Sequence, residues 1–138
     1  MNTNKNKVIN IEVIAKAWEN MSDSDYGTML DLYNAKRYSW SLFVGHLVIE
    51  KLLKACYVRN SETHPPLIHD LLKLALKSEI NLNEKQKLIL DTITTFNINA
   101  RYDDYKQTFY KKCTQVFTKK WINNITELRQ WIKEKQLK

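Results

Sequence analysis

Residues 38–59 constrain the fold more than any other stretch. Leu42, Phe43, Leu47, Ile49, Leu52, Leu53 and Cys56 make this segment apolar over most of a helical circumference. A helix with almost no wet face must be enclosed by other helices, so it belongs at the centre of a bundle. His46, Glu50 and Lys54 interrupt it at intervals of four and therefore share one face. The punctuation of the chain agrees with long helices. It has two glycines and two prolines in 138 residues, too few for a fold built on strands and turns. The expected class is all-α, an up-and-down bundle of four or five helices.

The flanking segments supply the other helices. From about Ile9 to Ala35, Ile11, Ile14, Trp18, Met21, Met29, Leu32 and Tyr33 recur at helical spacing. Ser22-Asp23-Ser24-Asp25 interrupts that stripe, so the segment is either one helix with a polar patch or two helices with a break. Asp25 is either partly buried on the Trp18 and Met29 side or faces solvent. Asn60 to Leu67 reads as a loop around Pro65-Pro66. His69-Asp70 opens a short third helix to about Ser78, with Leu72, Ala75 and Leu76 inward. Asn83 is a credible N-cap for the fourth helix, with Gln86 in the capping-box position. That helix carries Ile89, Ile93, Phe96 and Ala100. A fifth runs from about Lys106 to Lys135 and presents Phe109, Cys113, Val116, Phe117, Ile125, Leu128 and Ile132. Residues 1–8 are read as a flexible N-terminal segment and residues 9–138 as a single domain.

Hydrophobic residues at 43% and charged residues at 27% suit a folded globular chain rather than a disordered one. No apolar run approaches membrane-spanning length, and no secretory-type stretch follows the first residues, so no membrane association and a cytoplasmic location are expected. Cys56 and Cys113, each inside an apolar helical pattern, read as buried thiols. The net charge of +7 is uneven: residues 1–105 balance, while residues 106–138 hold nine Lys or Arg against Glu127 and Glu134. That surplus is either a footprint for nucleic acid or a solvated helix face.

Several kinds of chemistry are excluded. Two glycines cannot make a phosphate loop or a dinucleotide fingerprint. No His/Cys spacing fits zinc, and there is no Gly-x-Ser-x-Gly elbow, so neither metal nor cofactor is expected. What remains is a dispersed polar set: His46, Glu50, His69, Arg101, Asp103 and Asp104. His46 is either a satisfied core histidine, with Glu50 holding its ring, or a functional group. His69, at the start of the third helix, is either a neutral acid/base or a cap. Arg101 either bridges to Asp104 or Glu50, or holds a phosphate in a bidentate fork. Tyr102 and Tyr105 either pack or stack on a base.

Four stretches together carry a family resemblance: Tyr38-Ser-Trp-Ser-Leu-Phe43, His46-Leu-Val-Ile-Glu-Lys-Leu-Leu-Lys-Ala55, His69-Asp-Leu-Leu-Lys-Leu-Ala75 and Phe96-Asn-Ile-Asn-Ala-Arg-Tyr102. In order and separation they resemble the HEPN superfamily (higher eukaryotes and prokaryotes nucleotide-binding) over roughly residues 10–135. The resemblance implies a bundle of four or five helices, similar to the C-terminal domain of kanamycin-type nucleotidyltransferases. It also implies a homodimer, and for many members a separate small nucleotidyltransferase as toxin–antitoxin partner. Other members are metal-independent ribonucleases whose signature is Arg followed four to six residues later by His. Here Tyr, Asp, Asp, Tyr, Lys, Gln, Thr and Phe follow Arg101, and no histidine occurs after it. The segment instead resembles an Arg-Tyr-Pro-Asp-Tyr variant, with Asp103 in the proline position. The resemblance thus implies a non-catalytic module that binds a nucleotide or RNA through His46, Glu50, His69, Arg101, Tyr102 and Asp104. The alternative is a ribonuclease toxin using Arg101 with His46 or His69.

Overall fold

The computed structural model describes residues 10–137, apart from the Asp103 side chain. The expected flexible segment 1–8 lies outside these residues. Six helices occur among them and no strand: α1 (Ile11–Asn34), α2 (Tyr38–Ser61), α3 (Leu71–Lys77), α4 (Glu84–Asn99), α5 (Asp103–Lys112) and α6 (Gln115–Lys135). The architecture is a helical bundle, and α2 touches each of the other five helices. Leu42, Val48, Ile49, Leu52, Leu53 and Val58 bury α2 on all sides. At Gly45 a Cβ would lie 2.5 Å from Ile125 Cδ1 and 3.1 Å from Met29 Sδ. The absent side chain lets α1 and α6 close on α2.

The first helix is continuous, and its polar patch is a set of ties. Ser22 is buried and donates to the Val48 carbonyl at 2.7 Å. Asp23 accepts from Lys133 at 2.7 Å and Arg129 at 3.0 Å, both on α6. Asp25 is half-buried against Lys51 at 2.6 Å. Met21, expected inward, is exposed; Ala15, Ser22 and Met29 form the buried seam instead. A Schellman turn ends α1. Lys36 takes the left-handed conformation (φ 62°), Lys36 N–H donates to Tyr33 O and Arg37 N–H to Leu32 O. The chain reverses there and starts α2 at once.

Two expectations about helix faces and ends need correction. In α3 the buried residues are Leu71, Leu74 and Ala75, while Leu76 is exposed. Asp70 caps the helix by accepting from Lys73 N–H, so α3 starts at Leu71, and the face that packs inward is that of Leu71, Leu74 and Ala75. The long last helix is two helices. Thr114 Oγ1 accepts from Phe117 N–H and N-caps α6, which breaks the chain after Cys113 and leaves Val116 82% exposed. The fourth helix is as expected, with Asn83 and Gln86 forming a reciprocal capping box.

Candidate functional site

The site is built on the polar face of α2. Spacing of four stacks His46, Glu50 and Lys54 along one side, and packing by the neighbouring helices buries all three. A buried charge needs partners. Lys54 Nζ supplies one at 3.1 Å from Glu50 Oε2, and its ammonium also lies 5.1 Å from the centre of the Trp18 ring. The segment leading into α3 supplies another. His69 Nδ1–H donates to Glu50 Oε1 at 2.9 Å, while the His69 carbonyl accepts from His46 Nε2–H at 3.2 Å.

These partners fix the ring tautomers, because a carbonyl and a carboxylate only accept. His46 carries its proton on Nε2, and its buried Nδ1 has no hydrogen-bond partner. His69 carries a proton on Nδ1. Its side chain is 62% exposed, so the ring joins a buried carboxylate to the surface. Burial lowers the His46 pKa, and the nearby His69 and Arg101 charges add to that; the His69 carbonyl and Glu50 oppose it and lose. His46 is therefore neutral at pH 7. For Glu50 burial acts to raise the pKa, but the His69 hydrogen bond, His46 and Lys54 together outweigh it and hold the carboxyl below its usual range. Glu50 is an anion.

Arg101 follows α4, and its Nε–H donates to the Asn97 carbonyl at 2.9 Å. Its guanidinium lies 5.8 Å from the Phe43 ring centre and 5.5 Å from that of Tyr102. Phe43 sits one turn before His46 on α2, so the arginine lies beside the histidine cluster. Neither expected bridge is present: among the described residues Arg101 forms no ion pair with Asp104 or Glu50. A guanidinium held by Nε and two rings presents its remaining N–H groups for planar, bidentate contact with an oxyanion.

The structure thus brings His46, Glu50 and His69 into direct contact, with Arg101 and Tyr102 beside them through Phe43. Asp104 stands apart, exposed on the first turn of α5 with no hydrogen bond to the others among the described residues. His69 is not the cap of α3; Asp70 is, and His69 precedes the helix, which frees its ring to turn back to Glu50. The argument from the helix dipole therefore does not apply to it. Lys54 belongs to the cluster as the counter-ion of Glu50. Its four-residue spacing from Glu50 was the signal for it. Phe43 and Asn97 gave no such signal, since an aromatic ring and a backbone carbonyl are visible as supports only in three dimensions. Cys56 and Cys113 are buried, and burial pushes both thiols up to about 12, leaving them protonated.

The HEPN domain family matches residues 15–135, and the chain belongs to it. The crystal structure of TT1696 from Thermus thermophilus is similar, with a TM-score of 0.75 at 14% identity, over 87% of this chain and 96% of that one. At that identity the likeness concerns the fold alone. No curated protein matches the chain. No described helix is long and apolar enough to cross a membrane.

Proposed function

We propose that the protein is a non-catalytic HEPN module that binds a nucleotide or RNA, with Arg101 at a phosphate. The observation that carries this reading is the bracing of Arg101. Asn97 and two rings hold the guanidinium at the surface, beside an anionic carboxylate already neutralised by Lys54. An incoming phosphate meets a positive group without displacing a salt bridge to Glu50. Tyr102, 54% exposed, offers its ring to a base, and His69 offers its outer nitrogen. Asp104 has no part in this contact. Family kinship supports a cytoplasmic homodimer that works with a separate nucleotidyltransferase as a toxin–antitoxin pair. Isothermal calorimetry with mononucleotides and short RNA tests the binding. Heat that saturates with wild type and vanishes with Arg101→Ala is expected; no heat with any nucleotide or RNA refutes the reading.

One observation favours a second reading. His69 is hydrogen-bonded to a buried carboxylate through Nδ1 and exposed on its other side, the arrangement a proton-transferring imidazole requires. In that reading Glu50 orients His69, His69 moves the proton, and Arg101 offsets charge on the phosphate of a cleaving RNA. RNA cleavage lost in both His69→Ala and Arg101→Ala distinguishes it. Intact RNA after long incubation with wild type leaves the binding module.

A further inference from the structure

We infer that the groove between the α1–α2 connection and α5 is a second subsite, which takes the sugar–phosphate backbone of a single-stranded nucleic acid. The groove encloses about 720 Å³, within the roughly 300–1,000 Å³ of ordinary ligand sites. Lys36 and Arg37 line it from one side, and Lys106 and Lys111 from the other. Trp40 and Tyr110 complete the wall, and no carboxylate is among its described lining residues. Two segments far apart in sequence thus place four cations around one concavity.

The distribution of charge in the C-terminal part sharpens the point. Arg129 and Lys133 are bound to Asp23 and hold α6 to α1. The four groove cations make no ion pair among the described residues. Like charges gathered in a low-dielectric concavity raise the local concentration of anions. The aromatic rings select among polyanions. Trp40 and Tyr110 are 41% and 72% exposed beside the cations. An acidic peptide has carboxylates for the lysines but nothing regular for the rings; a single strand has both phosphates and bases. A duplex keeps its bases stacked inside and cannot offer them.

The groove also joins the arginine site. Ala100 lines it and precedes Arg101. Trp40 meets Phe43 edge-on at 5.7 Å, and Phe43 carries the Arg101 guanidinium. The inference deepens the proposed function and rests on it for one point, that a strand anchored at Arg101 continues into the groove.

The test uses two probes and two surface variants. A fluorescent single-stranded RNA octamer reports the groove by anisotropy, and adenosine monophosphate reports the Arg101 site by calorimetry. In Lys106→Gln/Lys111→Gln, octamer affinity is expected to fall about ten-fold or more. The slope of log affinity against log salt should shrink by about 1.4, at roughly 0.7 per phosphate contact on a single strand. Binding of the monophosphate should not change. Tyr110→Ala should weaken the octamer with its salt slope intact. Octamer affinity and slope unchanged in the lysine variant overturn the inference. So does a duplex that binds as tightly as the single strand, or polyglutamate that competes equally. If wild type binds the octamer in a groove-dependent way but not the monophosphate, the Arg101 reading fails and the groove stands. If it binds neither, both fail.

Discussion

Glu50 is a buried carboxylate facing three nitrogens, His69 Nδ1 at 2.9 Å, Lys54 Nζ at 3.1 Å and His46 Nε2 at 3.6 Å. Its neutral isostere keeps one acceptor oxygen but removes the negative charge that the buried Lys54 ammonium faces. Glu50→Gln is expected to cost about 3 kcal/mol, since removing one member of a buried pair strands the other; urea unfolding measures it. Acid should act through the same residues in two windows. Folded His46 resists the proton that the unfolded chain accepts below its ordinary 6.5. The unfolded state then binds more protons, so stability falls as pH drops below that value. Folded Glu50 likewise resists protonation, and its contribution is lost as pH falls below the ordinary 4.5 and through the lowered folded value. Melting from pH 7.5 to 5.5 should show the first decline, and His46→Gln should flatten it. At this scale the sequence was informative about α2, because four-residue spacing alone places His46, Glu50 and Lys54 together. It was silent on how His69 meets them, since that contact runs through a loop and a backbone carbonyl. It offered Asp104 as a bridge to Arg101, and among the described residues no ion pair or hydrogen bond joins the two.

The elements turn on their ends. Two helices finish in Schellman turns without glycine. Lys36 follows α1 at φ 62°, and Glu79 follows α3 at φ 61° with Ile80 N–H returning to Ala75 O. Glycine at these positions is the usual signal of a helix end, and its absence is why the boundaries had to be inferred from polarity. The strain predicts a contrast. Glu79→Gly and Lys36→Gly should each stabilise by roughly 0.5–1 kcal/mol, the relief of left-handed strain less the added freedom of the unfolded chain. Only Lys36→Gly should also weaken the RNA octamer, since Lys36 lines the groove. Thermal melts and anisotropy on the same two variants check this. The break between α5 and α6 was present in the sequence as a threonine cap. Apolar periodicity ran through it because Cys113 and Phe117 both still pack on the core.

Across the molecule, α2 was legible because its composition admits no other place than the middle. Gly45 at its midpoint sets how closely α1 and α6 approach. Gly45→Ala is expected to destabilise by about 1 kcal/mol, measured by urea unfolding, as the buried ends of Ile125 and Met29 must shift to admit the methyl group. The basic surplus of the last quarter of the chain was countable but not locatable. Folding commits Arg129 and Lys133 to Asp23 and sets Lys106 and Lys111 in a groove shared with Lys36 and Arg37. Binding at the arginine is the central claim, and its most direct test is a long-range ¹H–¹⁵N spectrum of the histidine side chains during titration with adenosine monophosphate. The account predicts that the His69 ring signals move to saturation while the buried His46, protonated on Nε2, moves little. It predicts that Arg101→Ala abolishes the shift. His69 signals that stay still at saturating ligand, or that move equally without Arg101, would contradict it.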